Sequence, residues 1–215
     1  QRMLPMVQLA YQGWSSILGG EGSLVDILEF LDQKIIEETN EISVDFDQNI
    51  VLENISFRYK NDQLNVLDNI DIEIRKGTRV GFIGTTGSGK STLLDIVMGL
   101  LTPTSGKLIV DGKEVVSKNS ASWQKNISHV PQDIFLSDST IKENIAFGIP
   151  YNEINMDKVV KAVSMAQLDD VINNLPEKYN TLVGERGIRL SGGQKQRIGI
   201  ARALYAESKL MIFDE

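Results

Sequence analysis

Residues 84–92, with the sequence GTTGSGKST, have the residue types and spacing that bind phosphate, and they match the pattern G-x-x-x-x-G-K-[ST]. Glycines let the backbone curl so that successive amides point at an anion, and a helix beginning here would add the positive end of its dipole. The Lys90 ammonium can reach the terminal phosphates of a nucleotide, and the Ser91 hydroxyl can bind Mg2+. We predict that this phosphate loop binds a nucleotide through Gly84, Thr85, Thr86, Gly87, Ser88, Gly89, Lys90, Ser91 and Thr92.

The last seven residues, KLMIFDE at 209–215, join an apolar run to two carboxylates. The run has the composition of a buried strand in a parallel sheet. Carboxylates at the end of such a strand are costly to desolvate and need a partner such as a metal ion. In a protein with a phosphate loop, Asp214 is therefore expected to hold Mg2+, often through water. Glu215 is expected to orient or polarise the attacking water.

The composition excludes several other kinds of function. The chain has 215 residues, with 22 basic and 29 acidic side chains and a formal net charge of −7. A general nucleic-acid binder needs basic patches, so we expect no nucleic-acid partner. The absence of cysteine excludes disulfides, thiolate catalysis and zinc–thiolate sites. The single histidine, His129, excludes a multi-histidine metal site and is expected to lie in a strand.

Strand-like and helix-like segments alternate from residue 50 onward and must position these side chains. The predicted strands are residues 50–59, 66–74, 79–84, 107–112, 126–133 and 209–214. The predicted helices are residues 90–101, most of 140–175, and 191–205. Such alternation implies an α/β fold with a mostly parallel sheet. The first strands follow one another without helices, so a small antiparallel sheet is expected beside it.

The region before residue 50 has a different character. Residues 4–18 carry apolar side chains at helical spacing, namely Leu4, Val7, Tyr11, Trp14 and Leu18. The pattern continues at residues 24–31 and fits either an ordinary amphipathic helix or the cytoplasmic extension of a transmembrane helix. Residues 33–49 are polar and acidic and are predicted to be a linker. The chain begins with Gln1 and stops directly after two carboxylates, so we expect it to be a piece of a longer protein.

A second glycine-led segment, LSGGQ at residues 190–194, precedes the acidic strand. The phosphate loop, LSGGQ and LMIFDE, in this order, resemble the ATP-binding cassette (ABC) ATPases over residues 50–215. The resemblance implies a P-loop NTPase core with a mostly parallel sheet, a small antiparallel β subdomain and a helical subdomain, incomplete at the C-terminus. It also implies a head-to-tail dimer in which LSGGQ of one copy closes on the γ-phosphate held by the other copy. The residues concerned are Ser191, Gly192, Gly193 and Gln194.

Other positions match the family in the same order. Tyr59 matches the aromatic residue that stacks on adenine. Gln132 matches the glutamine that reaches Mg2+ and the attacking water and also touches the transport domain. The resemblance thus implies Ser91, Gln132 and Asp214 as metal ligands, and Lys90, Gln132 and Glu215 as catalytic residues. The segment TLVGERG at 181–187 resembles the part of exporter-type members that senses the membrane domain.

The same resemblance implies the domain organisation and the setting. Residues 1–32 look like the end of the last membrane helix of a fused membrane domain, 33–49 like the linker, and 50–215 like the nucleotide-binding domain. We expect an ATPase on the cytoplasmic side of the plasma membrane that couples ATP hydrolysis to export. Residues 4–17 are similar to a stretch in exporters that flip lipid-linked oligosaccharides. Flipping of a lipid-linked substrate across the membrane is therefore an alternative to export. A homodimer with two equivalent sites is favoured because one chain carries both motifs.

Three other functions remain alternatives at this stage. A soluble ABC protein of DNA repair or translation is disfavoured by the acidic charge and by TLVGERG. An importer ATPase on a separate chain would lack the leading helix and linker. A nucleotide-binding regulator without hydrolysis is disfavoured by the presence of Lys90, Asp214 and Glu215.

Overall fold

The computed structural model describes residues 3–32, 43–60, 64–184, 187–188 and 190–214. The chain divides into two compact units, Gln1–Glu37 and Glu38–Glu215. The first unit contains one long helix, and the second contains six strands and the remaining described helices.

Helix α1, Met3–Leu31, forms the first unit. It confirms the helix predicted from the apolar spacing, and Gly19, Gly20 and Gly22 do not interrupt it. None of its residues is buried, and its large apolar side chains, including Trp14, are exposed. Among the described helices, none is long and apolar enough to cross a membrane.

An antiparallel sheet opens the second unit, as the closely spaced early strands predicted. Its strands are β1 Asn49–Phe57, β2 Leu67–Arg75, β3 Ser105–Val110 and β4 Lys113–Glu114, in the order β2-β1-β3-β4. Strand β1 alternates half-buried and buried side chains at residues 49–52, and Ile50 and Leu52 are fully inside. Those side chains pack with α2, Lys90–Val97, and with Trp123 of α3, Ser120–Gln124, to form the first hydrophobic core.

Residues 43–49 lead into β1 and are fixed along their length. The Asp111 carboxylate accepts hydrogen bonds from the backbone amides of Asp47, Gln48 and Asn49. Burial opposes ionisation of Asp111, but these three amides outweigh it and lower the pKa of the carboxyl. Asn126 donates to the carbonyl of Val44, and the Lys209 ammonium lies 3.2 Å from the carboxylate of Asp47. This leading segment is therefore anchored beside the first residues of two later strands.

The helical part of the second unit has a core of its own. Its helices are α4 Ile141–Ile145, α5 Met156–Met165, α6 Asp169–Asn173 and α7 Gly192–Tyr205, with short 3-10 turns at Tyr151–Glu153 and Lys178–Asn180. Val159 and Val163 of α5 pack against Ile198 and Ala201 of α7 at the centre. Their spacings of four and three residues place each pair on one helix face. The helical subdomain predicted from the resemblance is therefore present as a separate core.

Strands β5, Ile127–Val130, and β6, Leu210–Phe213, pair in parallel. His129 lies in β5, as predicted, with Ile212 of β6 as its partner in the register. Residues 79–84, which were predicted as a further strand, are not a strand in the structure, and Ile83 is 100% exposed. A parallel strand needs partners from distant parts of the chain, and the described residues place none beside this segment. The parallel part of the described fold therefore has two strands and is smaller than the mostly parallel sheet of the prediction.

Candidate functional site

The phosphate loop lies at the start of α2, whose first residue is Lys90. The Lys90 ammonium donates to the carbonyl oxygens of Gly84 at 2.8 Å and Thr85 at 3.0 Å. The Ser88 amide donates to the carbonyl of Thr85 at 3.1 Å and closes a tight turn. The lysine therefore folds back over a curled loop at a helix N-terminus, which is the arrangement that binds a polyphosphate.

Two glycines give the loop its curvature. Gly87 and Gly89 have φ of +81° and +89°, in the left-handed region that a residue with a Cβ adopts only with strain. A Cβ on Gly89 would also come within 2.9 Å of Leu67 and 3.0 Å of the carbonyl of Val66. Glycine is thus required at position 89 by both conformation and space. These two positions match glycines in the predicted nucleotide-binding set.

Tyr59 follows β1 and lies beside the phosphate loop. Its hydroxyl is 3.1 Å from the hydroxyl of Thr92, the last residue of the predicted loop. Its ring meets the buried ring of Phe57 edge to face, with centroids 5.0 Å apart. The residue is nevertheless 60% exposed, so a planar base has ring surface to stack on. Tyr59 thus lies beside the phosphate loop with an exposed ring, and its stacking on adenine stays a prediction.

Asp214 and Gln132 lie at the carboxyl ends of the two parallel strands. Val130 and Phe213 are partners in the register, and the amide of Asp214 donates to the carbonyl of Val130 at 3.1 Å. Gln132 follows two residues after Val130 and is exposed. The topology therefore brings these two oxygen-bearing side chains to the same edge of the sheet. Glu215, the predicted catalytic residue, lies outside the described residues.

The predicted magnesium ligands belong to two separate elements. Ser91 lies in the first turn of α2, whereas Gln132 and Asp214 lie at the sheet edge. Among the described residues, no hydrogen bond connects Lys90 or Ser91 to either of the other two side chains. A hydroxyl, an amide oxygen and a carboxylate are hard oxygen donors and suit Mg2+, which keeps several of its waters. The donor types fit the metal, and the association of the two elements remains a prediction.

LSGGQ begins helix α7 and supplies its cap. The Ser191 hydroxyl accepts from the Gln194 amide at 3.3 Å, and the Ser191 amide donates to the Gln194 side chain at 2.9 Å. This capping box satisfies two amides of the first turn. Gly192 and Gly193 are exposed, and a Cβ on either would meet nothing within 4 Å. The fold of this chain therefore does not require glycine at these two positions.

Two residues that the sequence reasoning did not single out organise the segment after Gln132. Asn144 of α4 is fully buried and donates to the carbonyls of Ser137 and Thr140. Arg202 of α7 donates to the carbonyls of Asn144 at 2.9 Å and Phe135 at 3.0 Å. Burial lowers the pKa of its guanidinium. A sequence signal existed for Asn144, because it shares a helix face with the apolar Ile141 and Ile145.

Comparison with known proteins places this chain in a family. Residues 67–215 match the family model described as ABC transporter. The leukotoxin translocation ATP-binding protein LktB of Mannheimia glucosida is 37% identical over 216 residues, covering 100% of this chain and 30% of that protein. ABC transporter B family member 29 of Arabidopsis thaliana is 37% identical, covering 99% and 34%. The putative multidrug export protein YgaD of Bacillus subtilis is 39% identical, covering 77% and 28%.

A solved structure agrees with these relatives. The structure of a bacterial Atm1-family ABC exporter with ATP bound superposes with a TM-score of 0.81 at 31% identity, covering 94% of this chain and 35% of that one. The chain therefore belongs to the ABC transporter family and contains an exporter-type nucleotide-binding domain. It spans about a third of the length of the relatives it matches.

Proposed function

We propose that this chain binds ATP with Mg2+ and is the ATP-hydrolysing part of an exporter. The observation that carries the proposal is the phosphate loop, where the Lys90 ammonium lies 2.8 Å from the carbonyl of Gly84 at the N-terminus of α2. An ammonium, a helix N-terminus and a left-handed glycine turn at one place together favour a polyphosphate. Tyr59 beside the loop supplies a surface for the adenine base.

The proposed roles follow from the chemistry of each group. Lys90 and the loop amides stabilise the charge that develops on the terminal phosphates during hydrolysis. Ser91, Gln132 and Asp214 hold Mg2+, which neutralises phosphate charge and fixes its orientation when bound. Glu215 accepts a hydrogen bond from the attacking water and polarises it.

A second copy of the chain completes each site in this proposal. The glycines at 192 and 193 support it, because the fold leaves open space around them and glycine in a helix costs roughly 0.5–1 kcal/mol relative to alanine. A residue type that the fold does not need indicates close approach by something outside the chain. We propose that Ser191, Gly192, Gly193 and Gln194 contact the γ-phosphate bound by the partner copy. Such a head-to-tail pair has two-fold symmetry and encloses two nucleotides.

The proposed coupling runs through the segment between β5 and α4. Gln132 begins this segment, and Arg202 connects its later part to the helix that starts at LSGGQ. Closure around ATP would therefore move this segment together with α7. We propose that it acts on a fused membrane domain, with the nucleotide-binding domain on the cytoplasmic side of the membrane and residues 1–32 at the end of the last membrane helix. The reaction is export of a substrate or flipping of a lipid-linked one.

The test is substitution Glu215→Gln in the full-length natural protein. This change keeps the shape of the side chain but removes the charge that polarises water, so ATP should bind and remain unhydrolysed. We expect a stable ATP-dependent dimer by size-exclusion chromatography, with hydrolysis reduced on the order of a hundredfold or more. Lys90→Ala is the matched control and should abolish ATP binding and dimer formation together. Parent-like ATP turnover by the glutamine variant would refute the role of Glu215.

A further inference from the structure

The hydroxyl of Tyr59 makes a hydrogen bond that plays no part in stacking on a base. It lies 3.1 Å from the hydroxyl of Thr92, which is 7% exposed and closes the phosphate loop. In the proposed function only the ring of Tyr59 has a role, since adenine stacks on the π face. The hydroxyl is therefore directed at Thr92, in the first turn of the helix that begins at the predicted phosphate loop.

The direction of this hydrogen bond follows from the chemistry of the two groups. A phenol is a stronger acid than an aliphatic alcohol, so the Tyr59 hydroxyl is the better donor of the two. A threonine hydroxyl has one donor proton and two acceptor lone pairs. When Tyr59 donates, the proton of Thr92 stays free to donate to another acceptor. The accepted hydrogen bond also polarises the Thr92 hydroxyl and strengthens it as a donor.

The ring of Tyr59 is fixed well enough for this role. Phe57, which belongs to the first hydrophobic core, contacts it edge to face at 87° between the ring planes. The hydroxyl is held at the other end of the ring by Thr92 in the first turn of α2. One side chain thus connects the end of β1 with the start of the phosphate-binding helix.

We propose that Tyr59 is a positioning residue for the phosphates as well as a platform for the base. Its hydroxyl donates to Thr92 and thereby orients the Thr92 O–H toward a bound polyphosphate. The inference rests on the proposed ATP site and extends it. Its distinctive consequence is that loss of the Tyr59 hydroxyl weakens the binding of a ligand that has no base.

The experiment compares two substitutions and two ligands by titration calorimetry on the full chain with Mg2+ present. Tyr59→Phe removes the hydroxyl and keeps the ring, whereas Tyr59→Leu removes both. The ligands are ATP and inorganic triphosphate. We expect Tyr59→Phe to weaken the binding of both ligands about fivefold, which is the factor in affinity that one neutral hydrogen bond contributes. Tyr59→Leu should weaken the binding of ATP further, because the ring is also lost. It should weaken the binding of triphosphate only as much as Tyr59→Phe does.

A double-mutant cycle with Thr92 separates positioning from a general structural effect. In a Thr92→Val background, Tyr59→Phe should have no further effect on triphosphate binding, because the acceptor is already absent. In a Thr92→Ser background, which keeps the hydroxyl, the fivefold effect should persist. Thermal unfolding of each variant reports whether the fold is retained.

The possible outcomes distinguish this inference from the ATP site itself. If Tyr59→Phe binds triphosphate as tightly as the parent, the positioning role is overturned while ATP binding stands. Equal effects of Tyr59→Phe in the valine and serine backgrounds would also overturn it. If the parent chain binds neither ligand, the proposed ATP site fails and the positioning role fails with it.

Discussion

At the scale of single residues, helix α7 contains glycines that are present for different reasons. A Cβ on Gly193 would meet nothing within 4 Å, whereas a Cβ on Gly199 would come within 2.5 Å of Ile134. Gly199 is buried and permits close packing inside the chain. Gly193 is exposed at the first turn, where the chain itself imposes no constraint. The structure therefore distinguishes a glycine at which a Cβ would meet Ile134 from one at which a Cβ would meet nothing within 4 Å.

This difference yields a paired prediction for Gly193→Ala and Gly199→Ala. Gly193→Ala should preserve or slightly raise the free energy of unfolding, because alanine is the better helix former by up to about 1 kcal/mol. It should lower ATP hydrolysis on the order of tenfold to a hundredfold, because the new methyl displaces the partner's nucleotide. Gly199→Ala should lower the free energy of unfolding by about 1–3 kcal/mol through overpacking. Urea unfolding and steady-state hydrolysis measure the two effects, and parent-like hydrolysis by Gly193→Ala would contradict the role of LSGGQ.

The residues of the candidate site were more predictable than the residues that support them. Local spacing alone identified Lys90, Ser91 and the glycines of the loop, because a phosphate loop is one continuous segment. Arg202 was not predictable in this way. Its partners are the backbone carbonyls of Phe135 and Asn144, 67 and 58 residues earlier in the chain. Because every residue has a backbone carbonyl, the sequence does not indicate which ones Arg202 will contact. Such support depends on tertiary packing and becomes visible only in the folded chain.

At the scale of elements, helices and hairpin strands were predicted well and the parallel sheet was not. Helix α2 begins at Lys90 as expected, but it ends at Val97 rather than at residue 101. Gly99 has a φ of +69°, a left-handed conformation that stops a helix. Residues 79–84 have an apolar pattern but no strand partner among the described residues, and a parallel strand forms only by pairing with remote segments. Local pattern therefore predicted which segments have regular structure better than it predicted their neighbours.

The first turn of α4 gives a pH-dependent prediction. Thr140 and Glu143 form a capping box, in which the hydroxyl and then the amide of Thr140 lower the pKa of Glu143 below its ordinary 4.5. A lowered pKa in the folded state means that the stabilisation is fully present above 4.5 and is lost as the pH falls through the folded value. Glu143→Gln keeps the hydrogen-bonding shape but has no charge to titrate. We therefore expect the stability difference between parent and variant to shrink as the pH falls from neutral through 4.5 and then through the lower folded pKa of Glu143.

Chemical unfolding of both proteins across this pH range measures that difference directly. The titration of the other carboxylates cancels in this difference, because both proteins contain them. A difference that is constant with pH would show that the ionised form of Glu143 does not stabilise the helix start.

At the scale of the whole molecule, the second unit has two hydrophobic cores with different roles. The first core contains Leu93 and Ile96 of α2 and supports the phosphate loop. The second core joins α5 and α7 and supports LSGGQ and the segment after Gln132. If a nucleotide binds at the predicted phosphate loop, it contacts the element supported by the first core. We then expect the second core to respond only when a partner copy closes.

Hydrogen exchange on the monomeric chain tests this division. Addition of ATP and Mg2+ should slow amide exchange in residues 84–98, by up to about 100-fold at a free ligand concentration near 100 times Kd. Exchange in α5 and α6 should change little under the same conditions. Lys90→Ala is the control and should show no slowing anywhere. Equal slowing in both cores would show that they open together and would contradict the division.

The anchoring of residues 43–49 also has a mechanical consequence. A displacement of these residues would act on their hydrogen bonds to Asp111, Asn126 and Lys209, which belong to three later parts of the chain. Lys209 directly precedes β6, and Asp214 directly follows it. A displacement of the leading segment would therefore reach the predicted metal ligand Asp214 through Lys209 and a single strand of four residues.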